Sequence, residues 1–135
     1  MVTPVKMTVE EKTFPLAAPF SITGHTFTNL HTVWVSLEAN GVKGRGEGTG
    51  SYYLGETQAT ISAELESVRE QVEAGITREE LAVLLPPGGA RNALDCALWD
   101  LECKTTGSTI WQVLDLVPRQ LTTVATLGVA SPEEM

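Results

Sequence analysis

The sequence has few basic residues and no long apolar run. Nine Lys and Arg stand against seventeen Asp and Glu, which gives a formal net charge of −8 at pH 7. Because nucleic acids and anionic membranes bind basic surfaces, this balance disfavours both as partners. No stretch approaches the roughly 20 apolar residues that span a bilayer, and the N-terminus lacks the apolar run of a signal peptide. The composition therefore favours an acidic, cytoplasmic globular protein.

Cysteine is scarce, since the chain has only two. Cys96 and Cys103 lie seven positions apart on one predicted helix, which places their backbones roughly 10 Å apart, too far for a disulfide. Neither His25 nor His31 is close in sequence to activate a thiol. We therefore expect two buried, reduced thiols without a catalytic role.

A nucleotide-binding loop is also missing. Glycines recur at positions 44, 46, 48 and 50, but no Gly-Lys-Ser/Thr follows them. Their alternate spacing does not match the dinucleotide-binding fingerprint. Small residues where a twisted strand enters a loop explain the series better than phosphate binding.

The front of the chain has the pattern of an antiparallel meander. Apolar and polar residues alternate over residues 5–9, which is typical of a half-buried strand. Residues 30–38 and 42–47 predict two further strands. Asn40-Gly41 separates these two, and both residues tolerate the positive φ of a tight hairpin turn.

Two predicted loops carry aromatic side chains. The first, residues 19–29, holds His25 and Phe27, and the second, residues 48–55, holds Tyr52, Tyr53 and Leu54. Such loops suit a lid that closes over a small molecule. The rings could equally pack down on their own domain, and spacing alone does not decide between these interpretations.

The middle of the chain has helical periodicity. Residues 61–75 predict a helix that Gly75 ends, and Thr77 with Glu80 forms a capping box for the next one. Residues 90–104 place apolar residues around nearly the whole circumference of a helix, which predicts burial on several sides. Ser108 or Thr109 then caps one more short helix.

The acids of the 90–104 helix are structural candidates. Asp95, Asp100 and Glu102 are spread over too wide an arc to hold one metal ion. We expect them to cap, to pair with Arg91 or to pack against another domain. Asp100 is expected to accept hydrogen bonds from backbone or arginine donors.

The last residues predict a strand followed by a helix start. Residues 121–129 are rich in Thr and Val and predict a buried strand. Ser131-Pro132-Glu133-Glu134 supplies a cap, a proline for the first turn and two acids for the helix dipole. Because the chain stops at Met135, we expect a truncated protein.

The order of these elements, with Ala-Leu-Trp-Asp-Leu inside residues 90–104, resembles the enolase superfamily. The chain is similar to the N-terminal capping domain of the mandelate racemase and muconate lactonizing type. Pro19-Phe20-Ser21-Ile22-Thr23 and Gly55-Glu56-Thr57 resemble dipeptide epimerases of the L-Ala-D/L-Glu kind. The expected fold is α+β: a three-stranded antiparallel meander and a helical bundle over residues 1–118, then the first strand of a truncated (β/α) barrel over residues 119–135.

This resemblance implies the cap of a Mg²⁺-dependent epimerase or racemase. In the family, barrel carboxylates hold Mg²⁺, and barrel lysines remove and return the α-proton of a small carboxylate substrate through an enediolate. A dipeptide is the expected substrate. The missing barrel would supply the metal ligands and the acid/base lysines, so we expect no catalytic and no metal-binding residue in this chain.

The resemblance also assigns substrate contacts to the cap. They are Phe20, Thr23, His25, Tyr52, Tyr53 and Leu54 in the two loops, and Thr126 on the segment that resembles the first barrel strand. The chain departs from the dipeptide-epimerase pattern twice. It has Gly24-His25 where members often carry Arg-Gly, and Leu54 is inserted between Tyr53 and Gly55. Because both departures fall in the loops that would contact the substrate, they leave its identity undecided.

Two alternatives stay open. The chain could be the cap of a muconate cycloisomerase, an o-succinylbenzoate synthase or an acid-sugar dehydratase. It could also be a non-catalytic binding module that works alone or pairs with a separate barrel chain. Without a barrel, an orphaned strand and apolar face predict self-association or a homo-oligomer.

Overall fold

The computed structural model describes residues 4–133. Within this range a sheet of order β1-β2-β3 comprises β1 Lys6–Ile22, β2 His25–Ala39 and β3 Val42–Thr49. The helices that follow are α1 Gln58–Ser67, α2 Arg69–Ala74, α3 Arg78–Leu84, α4 Gly89–Thr106 and α5 Ile110–Val113. Both strand pairs are antiparallel, so the expected α+β meander is confirmed. No helix in the described range is long and apolar enough to cross a membrane.

The helices cover one face of the sheet. Val33, Val35 and Leu37 of β2 are fully buried because their alternate positions all face the helices. The other fully buried large apolar residues are Ile61, Leu65, Val72, Leu81 and Leu94. This core holds the base of the β1–β2 hairpin in a fixed orientation.

Helix α4 lies unusually close to β3. A Cβ at Gly44 would overlap the carbonyl oxygen of Ala97, and one at Gly46 would overlap that of Ala93. Alanines and glycines therefore meet where larger side chains would separate helix from sheet. The alternate glycines serve this close approach, which corrects the interpretation that they mark the entry of a strand into a loop.

The first predicted loop is instead part of the sheet. Strands β1 and β2 continue to a turn at Thr23 and Gly24, where Gly24 has a φ of +78°. Pro15 pairs with Asn29 and Phe20 with Phe27, so residues 16–19 form a bulge in β1. We call this outer part of the hairpin, residues 13–31, the arm. Its strands were missed because it has little of the apolar–polar alternation that a half-buried sheet imposes.

Local helix signals were more reliable. The capping box of α3 is confirmed: Thr77 N–H donates to Glu80 Oε2 at 2.7 Å, and Glu80 N–H donates to Thr77 Oγ1 at 3.1 Å. Thr109 caps α5 in the same manner, with Gln112 as its partner. The single helix predicted over residues 61–75 was wrong, because Val68 leaves helical geometry with ψ near 6° and separates α1 from α2.

Helix α4 is buried on one side only within the described chain. Its buried residues are Gly89, Ala90, Ala93, Leu94, Ala97 and Leu101. Cys96 is exposed and Cys103 half-buried, so the prediction of two buried thiols was wrong. The sheet and the neighbouring helices cover one side of α4, and Leu98 is partly buried against the same core.

The acids of α4 make local contacts. Asp100 accepts hydrogen bonds from the backbone N–H of Arg45 at 2.7 Å and from Lys104 Nζ at 2.6 Å, as expected of a structural acid. Although desolvation raises the pKa of Asp100, these bonds lower it below its ordinary value overall. Glu102 pairs with Arg78. The expected ion pair with Arg91 is not found in the described range, where Arg91 instead donates to backbone carbonyls of residues 82 and 85.

The tail does not form the predicted strand. Leu121, Val124 and Leu127 are 70, 88 and 69% exposed, and residues 121–129 have no regular secondary structure. A strand requires a neighbouring strand for its backbone groups, and here Val129 N–H reaches Ser21 O at 2.7 Å without forming a ladder. The boundary between residues 118 and 119 stays a prediction. The predicted helix start, residues 131–134, falls partly on Glu134, which lies outside the described residues.

Candidate functional site

The end of the arm meets a short turn that carries two tyrosines. Tyr52–Leu54 forms one turn of 3-10 helix and ends at Gly55, whose φ is +76°. We call residues 51–55 the tyrosine turn. His25 of the arm stacks on Tyr52 with ring centroids 4.4 Å apart and planes 14° apart. The structure thus joins the two segments that the sequence marked separately.

Further rings extend this contact into an aromatic cluster of Phe20, His25, Phe27, Tyr52 and Tyr53. Phe27 presents an edge to His25 at 4.3 Å and to Tyr52 at 5.7 Å. Tyr53 lies edge-on to Tyr52 at 5.3 Å, and Phe20 lies 6.3 Å from Phe27. These separations are typical of favourable aromatic pairs. The rings therefore pack on one another, yet Tyr52 stays 44% and Tyr53 73% exposed, so they also offer a surface.

A groove of about 820 Å³ runs beside this cluster. It is lined by residues 25–31 of the arm, by residues 49–53 and 56–59, and by Glu11 of β1. Its volume falls within the range of small-molecule sites, which is roughly 300–1,000 Å³. Aromatic surface beside a few polar groups is also the composition expected of such a site.

Glu56 fixes the tyrosine turn to the helical layer. Its carboxylate accepts the backbone N–H of Gly89 at 2.8 Å and that of Ser51 at 3.0 Å. These bonds, with that of Gly89 the stronger cause, lower the pKa of Glu56 below its ordinary value although burial opposes them. Because Gly88 has no capping side chain, Glu56 serves as the acidic group at the N-terminus of α4.

Gln58 fixes the base of the groove in a similar manner. Its Nε2 donates to the carbonyl oxygens of Lys12 at 2.7 Å and of Thr32 at 3.0 Å. One side chain on the first turn of α1 thereby contacts both β1 and β2. The groove therefore lies between elements that are tied together at its base.

The structure brings together three of the seven residues assigned to substrate binding. His25, Tyr52 and Tyr53 line the groove. Phe20 belongs to the cluster but faces a smaller hollow beside the β1 bulge, and Leu54 faces residues 87–89 at the start of α4. Thr23 is exposed in the turn of the arm, and Thr126 is exposed in the tail. Substrate contact by any of the seven stays a prediction.

The sequence marked Phe27 as an aromatic residue of the first loop but did not assign it to substrate binding. Phe27 lies two positions from His25 on the same face of β2. Glu56 was seen only as part of a motif. Its signal was a helix starting at Gly88-Gly89 with no capping side chain of its own, which leaves backbone N–H groups in need of an acceptor.

The described residues offer no metal centre. No group of three or more His, Cys, Asp or Glu between residues 4 and 133 is placed to hold a metal ion. This part of the chain therefore does not fit a Mg²⁺ site. Cys96 is also a poor nucleophile, since desolvation and the nearby charge of Asp95 raise the pKa of its thiol.

Comparison with known proteins identifies the family. Residues 4–115 match the family model "Mandelate racemase / muconate lactonizing enzyme, N-terminal domain". The chain is 40% identical over 128 residues to the L-Ala-D/L-Glu epimerase of Escherichia coli (strain K12). That alignment covers 94% of this chain and 40% of the epimerase, so the chain spans about two fifths of the relative's length.

Solved structures agree with this assignment. An enolase family member from Agrobacterium tumefaciens with homology to dipeptide epimerases, with bound sodium and L-Ala-L-Glu, superposes with a TM-score of 0.90 at 35% identity over 97% of this chain and 40% of that one. The dipeptide epimerase of Methylococcus capsulatus, complexed with Mg and L-Arg-D-Lys, gives 0.86 at 27% identity over 98% and 40%. The chain therefore belongs to the mandelate racemase/muconate lactonizing enzyme N-terminal domain family of the enolase superfamily.

Proposed function

We propose that this chain is the substrate-reading cap of a dipeptide epimerase. The observation that carries the proposal is the aromatic cluster, which joins the arm and the tyrosine turn beside a groove of small-molecule size. The identity of 40% to an epimerase over 94% of the chain supports it. The comparisons do not favour the cycloisomerase, synthase, dehydratase or binding-module alternatives.

Within this proposal the chain binds the distal part of a dipeptide and keeps water from the reacting carbon. Inversion at that carbon requires removal of the α-proton on one side and its return on the other. We assign the acid/base lysines and the Mg²⁺ ligands of the intact enzyme to sequence outside this chain. The relatives' greater length and the Mg in the Methylococcus structure support the assignment.

The proposed role of the site residues is to hold the substrate in place. His25 and Tyr52 present ring surface, and Glu56 keeps the tyrosine turn at a fixed distance from α4. Such placement by remote groups accelerates a reaction because orientation is fixed before the chemical step. We further propose that the intact protein works in the cytoplasm, which fractionation of expressing cells would test.

The direct test is solvent deuterium exchange at the α-carbon of dipeptides by the full-length protein with Mg²⁺. Incorporation into dipeptides, but not into muconate derivatives or acid sugars, is the expected result. Exchange confined to the other substrate classes would assign the cap to a different member of the superfamily. No exchange with any of them would support a non-catalytic module.

A further inference from the structure

We infer that the groove selects dipeptides with a positively charged distal side chain over those with an acidic one. This inference rests on the proposed function and names the substrate class more closely. It is carried by the charges and the rings that line the groove. Two places elsewhere in the same chain, where a Lys or Arg side chain contacts both a ring and a carboxylate, support it.

The permanent charges along the groove are negative. Glu11 and Glu56 belong to its lining, whereas none of its lining residues is Lys or Arg. The oxygens of Glu56 are held by the backbone of Gly89 and Ser51. Glu11, which accepts one hydrogen bond from Ser62 Oγ at 2.8 Å, is therefore the carboxylate left to pair with a ligand. The nearby Lys12 belongs to the opposite face of the sheet, where its Nζ lies over the ring of Trp34 at 5.4 Å. A carboxylate entering the groove would therefore meet like charges, and an ammonium or guanidinium group would meet opposite ones.

The rings reinforce this preference. Tyr52 and Tyr53 keep much of their surface exposed, and His25 and Phe27 extend the same wall. The face of an aromatic ring attracts a cation within about 6 Å of its centroid and offers no comparable attraction to a carboxylate. An aromatic wall beside carboxylates is therefore a receptor for positive charge.

The chain itself shows that this combination holds cations. Arg78 lies over Trp99 at 3.4 Å and pairs with the carboxylate of Glu102. Lys12, over the ring of Trp34, pairs with Glu10 at 3.0 Å. Both sites combine one ring, one carboxylate and one cation. The groove has the ring and the carboxylate, and the dipeptide would supply the cation.

The relatives carry distal groups of both charges. The Escherichia coli relative is an L-Ala-D/L-Glu epimerase and the Agrobacterium structure holds L-Ala-L-Glu, whereas the Methylococcus structure holds L-Arg-D-Lys. The two structures superpose closely on this chain, with TM-scores of 0.90 and 0.86. The local lining of the groove, and not the fold, therefore sets the preference.

The test measures kcat/KM of the full-length enzyme for L-Ala-L-Lys, L-Ala-L-Leu and L-Ala-L-Glu. The assays are run at about pH 8. We expect L-Ala-L-Lys to exceed L-Ala-L-Glu by about tenfold or more, with the neutral dipeptide between them. Glu11→Gln should lower that ratio about three- to tenfold.

Glu10→Gln is the matched control, because Glu10 neighbours Glu11 but lies on the opposite face of β1. It should leave the ratio unchanged. An equal effect of both substitutions would mean that distant charge, and not the groove, sets the preference, and would overturn the inference.

The remaining outcomes separate the two proposals. Epimerisation with L-Ala-L-Glu preferred or equal would overturn this inference and leave the proposed function standing. If no dipeptide exchanges its α-proton, the proposed function fails, and calorimetric binding of the same dipeptides decides the inference alone. Tighter binding of L-Ala-L-Lys, weakened by Glu11→Gln, would support it, whereas no binding or a preference for L-Ala-L-Glu would overturn it.

Discussion

Two regions of the molecule are built in opposite ways. One is the interface between α4 and β3, and the other is the aromatic cluster. The interface uses the smallest side chains, with Gly46 against Ala93 and Gly44 against Ala97, and leaves no room for another atom. The cluster uses some of the largest side chains and leaves Tyr53 73% exposed. Stability should therefore depend mainly on the first region and substrate selection on the second. Substitutions in the two regions should have separable effects.

The largest expected effect is that of Gly46→Ala. Its new Cβ would overlap the carbonyl oxygen of Ala93, and neither backbone can move without separating α4 from the sheet. We expect a loss of about 3 kcal/mol or more in the free energy of unfolding, or no folded protein, by denaturant titration.

Gly24→Ala is the matched control for that substitution. Nothing lies within 4 Å of its ideal Cβ, so its cost is the strain of a positive φ, about 1 kcal/mol. Equal losses for the two variants would show that α4 can move away from β3, and the contrast between the two regions would disappear.

The next effect concerns Glu56, which links the two regions. Glu56→Gln should lower the free energy of unfolding by about 1–2 kcal/mol, because an amide accepts the N–H bonds of Gly89 and Ser51 less well than a carboxylate. Glu38→Gln, which weakens only a half-exposed pair with Lys43, should change it by less than about 0.5 kcal/mol.

The effect of Glu56 should depend on pH in a defined direction. Its folded pKa lies below the ordinary 4.5, so its stabilisation is fully present above that value and is lost as pH falls through the folded pKa. The difference between wild type and Glu56→Gln should thus be constant from neutral pH to about 5 and shrink in more acid solution. A difference that persists at the lowest accessible pH would contradict a role for the charge.

A smaller effect on stability is expected inside the cluster. Tyr52→Leu removes the stack on His25 from a partly exposed site, so we expect a loss of at most about 1 kcal/mol. In the full-length enzyme it should lower kcat/KM for dipeptides about tenfold or more. Phe14→Leu, an equally exposed ring on the far side of the sheet, should leave kcat/KM unchanged. If the variant lost more free energy of unfolding than transition-state stabilisation, calculated from the change in kcat/KM, the cluster would have a structural role and not a substrate-binding one.

The smallest change in stability is expected in the tail. Val124 and Leu127 are 88 and 69% exposed, and the described structure shows no regular element that covers them. Replacing both by Ser should change unfolding by less than about 0.5 kcal/mol and reduce concentration-dependent association of this 135-residue chain in sedimentation. Val83→Ser, on a separate exposed site of α3, should leave association as it is. If the tail substitutions left association unchanged, the contact between copies of the chain would lie elsewhere on its surface.

Local sequence signals predicted much of the fold. Asn40 and Gly41 adopt φ values of +51° and +76°, as their turn requires, and the Thr77–Glu80 box forms between residues three positions apart. Such interactions depend on few neighbours, so a short window contains their cause. The two strands of the arm were missed because pairing with distant residues decides them, and the break at Val68 was missed as well.

The candidate site was only half predictable for the same reason. The sequence marked His25, Tyr52 and Tyr53 as aromatic residues on separate segments, but left open whether they meet a ligand or their own domain. It also misjudged Cys96, because an apolar helix does not reveal which side its neighbours cover. The contact of His25 with Tyr52 depends on how far the arm extends beyond the helices. No local sequence pattern predicts that distance.

The sequence by itself determined the turns, the caps and the membership of the chain in its family, because each of these depends on short stretches of adjacent residues. Only the tertiary structure decided that the alternate glycines admit α4 and that Glu56 reaches Gly89, 33 positions away. It also decided which charges line the groove, since Glu10 and Glu11 are neighbours in sequence but lie on opposite faces of one strand. Chain connectivity sets local geometry, whereas the packing of the whole sheet decides which distant groups come within contact distance.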